Sequence, residues 1–295
     1  MKELVVVSGK GGVGKTTVSA SLAYLLAKEG LGAGIADADV DTPSLHLLLG
    51  LRTSRSEEAY LSKKAEVDPG KCVGCGACLR TCPYGALREG PGGIPELIWY
   101  LCEGCGACSL VCPAEAVRIR SARTGEVLEG LTRYGQPMVT AQLEIGEHNS
   151  GLLVSKVRIR ARELASDHGA ELLLVDGAPG IGCPVISSLV GADIALLVVE
   201  PTPSSLRGAL RALEVAKHFG LKTASTLNKS DISDFKSDAI TALEEAGAPV
   251  LAEIPYDEAV VEALAQERPV VEFRPSSAAS RALYGLFEAL SEEFL

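Results

Sequence analysis

The chain has no surplus of positive charge, no long apolar run and few histidines, and each shortage removes a class of function. Lys and Arg number 28 against 38 Asp and Glu, a formal net charge of −10 over 295 residues, so a polyanion such as nucleic acid would be repelled rather than gathered. No window approaches the ~20 apolar residues that a membrane-crossing helix needs. Met1-Lys2-Glu3, running straight into Leu4 and three valines, lacks the charged start, apolar core and cleavage site of a secretory leader. These absences lead to an expectation of a cytoplasmic protein with no nucleic-acid partner and no membrane anchor. His46, His148, His168 and His218 are scattered and read as structural or surface residues.

Cysteine, in contrast, is plentiful: nine in all, eight of them from Cys72 to Cys112. In a reducing compartment such close spacing points to metal rather than to disulfides.

The first fifty residues read as strand (3–8), glycine loop, helix (16–29), strand (32–36) and short helix (44–49), which is a βαβ unit. The pattern weakens over 52–68 and the cysteine-dense stretch follows. Periodicity resumes after residue 135, with strands at 139–145, 172–175, 194–199, 222–227 and 250–254, and helices at 152–167, 206–219, 238–246, 259–266 and 278–293. Continuous apolar runs of this kind suit strands covered on both faces of a parallel sheet. The expected class is α/β, a doubly wound, mainly parallel sheet. Its first part (1–65) and second part (121–295) are interrupted by a small α+β module (66–120).

Gly9-Lys10-Gly11-Gly12-Val13-Gly14-Lys15-Thr16 matches the P-loop pattern and lies between a predicted strand and a predicted helix. Backbone N–H groups of Gly11, Gly12, Val13 and Gly14 are suited to close around phosphates, and the helix start, with Thr17, adds positive potential. Lys15 is placed to reach the β- and γ-phosphates and Thr16 to ligate Mg²⁺.

With Lys10 as an additional lysine inside the loop, the sequence resembles the MinD/ParA/Mrp and nitrogenase iron-protein group of P-loop ATPases, across nearly all of 1–50 and 136–295. The resemblance implies ATP and Mg²⁺ as ligands and a nucleotide-dependent dimer, of two copies or with a paralogue, in which Lys10 reaches the partner's phosphates. It makes Asp37-Ala38-Asp39-Val40-Asp41 the first switch, with Asp39 orienting the attacking water and Asp37 supporting magnesium; Asp41 equally fits a helix cap. Lys10, Lys15 and Asp39 form the implied catalytic set. Asp176-Gly177-Ala178-Pro179-Gly180 resembles the second switch, Asp176 holding Mg²⁺ through water and Gly180 offering its N–H to the γ-phosphate. Asn228 and Pro255 match adenine-contacting positions. Asn228-Lys229-Ser230-Asp231 also has the NKxD form used for guanine, so the family match favours ATP while GTP stays open.

Cys72, Cys75, Cys78 and Cys82-Pro83, then Cys102, Cys105, Cys108 and Cys112-Pro113, repeat one bacterial ferredoxin run at an offset of 30 residues. In such runs the fourth cysteine crosses to the other cluster. Two [4Fe–4S] clusters are therefore expected, one on Cys72, Cys75, Cys78 and Cys112, the other on Cys102, Cys105, Cys108 and Cys82. Zinc is the competing reading of the Cys-x-x-Cys pairs, although two zinc sites would not need a triplet plus a distant Cys-Pro twice. Cys183 stands apart, seven residues after Asp176, and reads either as a small residue in a turn or as a redox-sensing thiol.

The implied function is ATP-dependent dimerisation and hydrolysis coupled to the ferredoxin module, with a redox or metallocluster-assembly protein as partner. A cluster carrier or scaffold and a MinD/ParA-like positioning ATPase are the alternatives. The acidic end, residues 286–295, departs from the basic amphipathic membrane helix of the MinD branch.

Overall fold

The computed structural model describes residues 1–147 and 150–294. His148 lies outside the described residues. Thirteen strands are found among them: β1 (Lys2–Ser8), β2 (Ala33–Asp37), β3 (Arg52–Ala59), β4 (Ser62–Val67), β5 (Leu87–Glu89), β6 (Pro95–Leu97), β7 (Val117–Ala122), β8 (Gly125–Leu131), β9 (Pro137–Leu143), β10 (Leu172–Pro179), β11 (Ile194–Val199), β12 (Lys222–Asn228) and β13 (Val250–Ile254). The chain divides into two compact units, the first made of 1–57, 127–142 and 150 onward, the second of 58–126 with 143–147.

The first unit is built on a sheet in the order β13-β12-β11-β1-β10-β2-β9-β8-β3. Every pairing from β13 through to β9 is parallel. Its central strands are uninterrupted apolar runs, Leu4 to Val7 in β1 and Ile194 to Val199 in β11, and are buried throughout. A strand covered on both faces loses nothing by being apolar at every position. β10 lies between β1 and β2, which brings the loops after these three strands to one end of the sheet, the crevice where open α/β sheets bind ligands. The fold is thus the α/β, mainly parallel sheet expected. The sequence predicts no strand in 52–68, where both β3 and β4 lie. β3 reads Arg-Thr-Ser-Arg-Ser-Glu-Glu-Ala and is exposed at all but its last residue. It closes one edge of the sheet, and its charge discourages pairing with another chain while erasing any hydrophobic alternation.

The start of β1 is fixed by a buried ion pair. Glu3, 2% exposed, accepts from Arg158 at 2.5 Å and from Arg162, both on the helix Ser150–Asp167. Arg158 also donates to the carbonyls of Ser187 (2.6 Å) and Val190 (2.8 Å), so its buried charge is well satisfied.

In the second unit β4 pairs antiparallel with β7 and β5 with β6. Each cysteine run ends in one short helical turn, Ala77–Thr81 or Ala107–Leu110, entered through a left-handed glycine, Gly76 (φ 67°) or Gly106 (φ 82°). A small core of Ala65, Ala86, Leu87 and Val117 includes Cys78, Cys102 and Cys108. The returning segment 143–147 is tied in by Glu147. Its Oε1 accepts from Lys64 Nζ at 3.0 Å and from Trp99 Nε1 at 3.1 Å. Lys64 in turn donates to the carbonyl of Cys102 at 3.0 Å and stands 5.4 Å from the centre of the Trp99 ring.

Among the described residues no helix is long and apolar enough to cross a membrane. Glu147→Ala would strand the buried Lys64 ammonium, a change that costs roughly 3–5 kcal/mol. A lower urea midpoint, followed by the fluorescence of Trp99, the single tryptophan, is the expected result, with Glu147→Gln intermediate.

Candidate functional site

The P-loop leaves β1 and enters the helix Lys15–Lys28 through Gly14, whose φ of 92° only glycine adopts without strain. A cavity of about 490 Å³ opens on it, lined by Gly11, Gly12, Gly14, Lys15, Thr16 and Thr17 together with Asp39. Beneath the cavity lies Asp176, fully buried. Its carboxylate accepts from Lys15 Nζ, Thr16 Oγ1 and Ser19 Oγ, each at 2.8 Å. Strand register sets Asp176 directly beside Asp37, and Asp39 stands 3.5 Å from Lys15.

This concentration of carboxylates decides the charge states. Burial works against the Lys15 ammonium, but Asp176, Asp39 and Asp37 outweigh it and hold its pKa above the ordinary lysine value. Burial pushes Asp39 up, an effect Lys15 partly offsets, and burial likewise raises Asp37, where the His46 hydrogen bond opposes the shift and neighbouring Asp176 adds to it. Asp37 is turned away from the cavity: its carboxylate accepts from the N–H of Leu45 at 3.0 Å and of Asp39 at 3.4 Å, which shapes the loop that carries Asp39. A lysine, a threonine hydroxyl and two carboxylates at one end of a parallel sheet can take a phosphate chain and an oxygen-ligated divalent cation.

Other residues singled out from the sequence are outside the cavity lining. Asn228 Nδ2 donates to the carbonyl of Val13 at 2.7 Å and braces the loop from behind. The Gly180 N–H donates to the Ser8 carbonyl at 2.8 Å. Pro255 is outside the lining, whose far wall is formed by Leu47, Leu48, Leu264 and Glu267. Lys10 turns to Glu200, 3.1 Å away. Cys183 is exposed at the first residue of the helix Cys183–Leu189.

Three participants were missed by sequence reasoning. Ser19 carried a signal, since it follows Lys15 by one helical turn and so shares its face. Gly208 carried a weaker one, as a glycine inside the helix Pro203–His218. A Cβ on Gly208 would come within 2.7 Å of the Gly9 carbonyl oxygen, so helix and P-loop touch backbone to backbone. Glu200, at the end of β11, had none.

The eight clustered cysteines fall into two groups of four. Cys72, Cys75, Cys78 and Cys112 line one narrow cavity of the second unit, and Cys82, Cys102, Cys105 and Cys108 line another. Among the described residues no three or more His, Cys, Asp or Glu side chains are placed to hold a single metal ion. Backbone N–H groups point at the sulfurs, Ala86 at Cys82 (3.3 Å) and, one repeat later, Ala116 at Cys112 (3.2 Å). Burial raises the thiols of Cys78 and Cys108. Burial would raise Cys112 too, but the surrounding N–H donors, Ala116 foremost, bring it below the ordinary thiol value.

The sequence profile of the CobQ/CobB/MinD/ParA nucleotide binding domain matches residues 4–270. The chain is 37% identical over 232 residues to the uncharacterized protein MJ0578 of Methanocaldococcus jannaschii, which is 79% of either chain. It is 30% identical over 299 residues to the antiactivator FleN of Pseudomonas aeruginosa, covering 98% of this chain and 85% of that one. Of solved structures, the septum site-determining protein MinD of Pyrococcus horikoshii complexed with Mg-ADP is similar in fold, with a TM-score of 0.60 at 19% identity, over 99% of this chain and 96% of that one.

Gly208→Ala should overpack the contact with Gly9 at a cost of about 1–3 kcal/mol. Calorimetric titration with ATP is expected to show weakened binding, while Ala209→Gly, one residue along the same helix, controls for helix propensity.

Proposed function

The chain belongs to the CobQ/CobB/MinD/ParA nucleotide-binding family, and from that premise we propose that it is a Mg²⁺-dependent ATPase whose second unit carries two [4Fe–4S] clusters and passes electrons to a protein partner. The observation that carries this reading is the sorting of the eight cysteines, four and four, round two cavities in a unit whose chain interrupts the nucleotide-binding sheet.

The fit of clusters to these residues rests on donor chemistry. A cubane takes one thiolate on each iron, so its ligands ring a cavity instead of converging on one ion. The grouping supports Cys72, Cys75, Cys78 and Cys112 as one ligand set and Cys102, Cys105, Cys108 and Cys82 as the other. N–H donors at the sulfurs stabilise the thiolate form and tune the potential. When bound, such clusters supply one-electron transfer.

In the nucleotide unit Lys15 would exchange Asp176 and Asp39 for the phosphates. Thr16 and Asp176 would hold Mg²⁺, whose charge offsets that of the phosphates. Asp39, released from Lys15 and fixed through the Asp37 turn, would accept a hydrogen bond from the water that attacks the γ-phosphorus and yields ADP and inorganic phosphate. Lys10 is outside its own cavity lining, which supports a role toward the nucleotide of a second subunit in an ATP-dependent dimer. A second reading, a positioning ATPase, is favoured by 25% identity over 92% of this chain to a putative septum site-determining protein MinD of Mesostigma viride.

Anaerobically purified protein is expected to contain about eight irons per chain and to give cubane-type EPR signals on reduction; tightly bound zinc in their place would overturn the cluster reading. Asp39→Ala is expected to keep ATP binding and lose phosphate release by at least ~100-fold. Cluster potentials measured with ADP and with a non-hydrolysable ATP analogue should differ, whereas a positioning ATPase would show neither iron nor a nucleotide-dependent potential.

A further inference from the structure

Glu200 joins the P-loop to a lysine from elsewhere in the fold. One carboxylate oxygen takes Lys10 Nζ at 3.1 Å, and the other takes Lys229 Nζ at 2.6 Å. Lys229 also donates to the carbonyl of Gly12 at 3.3 Å. The glutamate is held rigidly. Its N–H donates to Ser205 Oγ at 3.0 Å and its carbonyl accepts from Thr202 N at 2.7 Å, within the capped start of the helix Pro203–His218. That helix is itself pinned to the P-loop where Gly208 meets Gly9. The two lysine side chains are similarly exposed, 37% for Lys10 and 33% for Lys229, but Lys229 is held by the Gly12 carbonyl as well, which leaves Lys10 the looser member.

We infer that Glu200 is a positioning residue for Lys10, parking the lysine away from phosphate until nucleotide charge draws it off. This rests on the ATPase reading of the site. The second lysine makes the release feasible. A buried carboxylate that lost its only cation would face the full cost of desolvation, but Glu200 keeps Lys229 when Lys10 departs. A part-exposed ion pair at this separation is modest in strength, so it biases Lys10 without trapping it. Lys229, bonded at once to Glu200 and to the Gly12 carbonyl, keeps the loop in shape while Lys10 moves.

The test is the affinity for a non-hydrolysable ATP analogue and the protein concentration at which that analogue produces dimers, measured by calorimetry and analytical ultracentrifugation. Glu200→Gln should tighten one or both by up to about fivefold, the worth of an exposed pair, with ADP binding little changed. Glu200→Asp, which keeps a charge beside Lys229 but shortens the reach to Lys10, should move in the same direction. In the background of Lys10→Ala the effect of Glu200→Gln should vanish. A gain confined to dimerisation means that Lys10 serves the partner's phosphates; a gain already present in the monomer means that it serves its own.

Two results overturn the inference alone: wild-type protein that binds the analogue while both Glu200 variants match it, or a loss of ADP and analogue affinity that persists without Lys10, the mark of a merely structural glutamate. Wild-type protein that binds no adenine nucleotide overturns the ATPase reading, and the inference with it.

Discussion

The buried carboxylate of Asp176 is the constraint on which the nucleotide unit depends. Three donors from the first two turns of one helix, Lys15, Thr16 and Ser19, converge on it. An unpaired carboxylate at that depth would be several kcal/mol unfavourable, so helix Lys15–Lys28 has one acceptable seat against β10. The P-loop, which connects that helix to β1, is shaped by the same requirement. Ligand binding exploits what folding already demands: Lys15 stays charged because Asp176 and its neighbours hold it so, and a charged, dehydrated ammonium is ready for phosphate.

An acidic frame that holds a lysine recurs at two points. Lys15 is balanced between Asp176 and Asp39, and Lys10 is shared with Lys229 at Glu200. In both, the carboxylates sit on strands or on the turns that end them, where backbone pairing fixes position. Lys10 sits in the glycine-rich loop, and Lys15 opens the helix that the loop enters. The cysteine unit follows a related rule with backbone dipoles in place of lysines, since a residue at left-handed φ, Gly85 (61°) before Ala86 and Glu115 (48°) before Ala116, precedes each N–H that points at a sulfur.

Much of this was legible from residue order because the chemistry imposes local spacing. The P-loop and the three leading cysteines of each run are short stretches whose residues lie close together in the chain, and the apolar runs of β1, β10 and β11 announce strands covered on both faces. β3 was not legible, because an edge strand that avoids pairing with other chains does so by carrying charge, and charge hides alternation. Asn228 donates to the Val13 carbonyl, and the cavity wall includes Leu47, Leu48, Leu264 and Glu267, residues that no sequence motif marks.

By itself the sequence determined that a phosphate loop, acidic strand ends and a doubled cysteine run exist in one chain, since each is a pattern of neighbours. The tertiary structure alone decided which distant groups meet: Asp37 beside Asp176, Glu200 between Lys10 and Lys229, Glu147 on Lys64. Those partners are 139, 190 or 29, and 83 residues apart. The order of strands and the path of the chain bring them together, and the pairings hold because a buried charge without its counter-ion is too costly to keep.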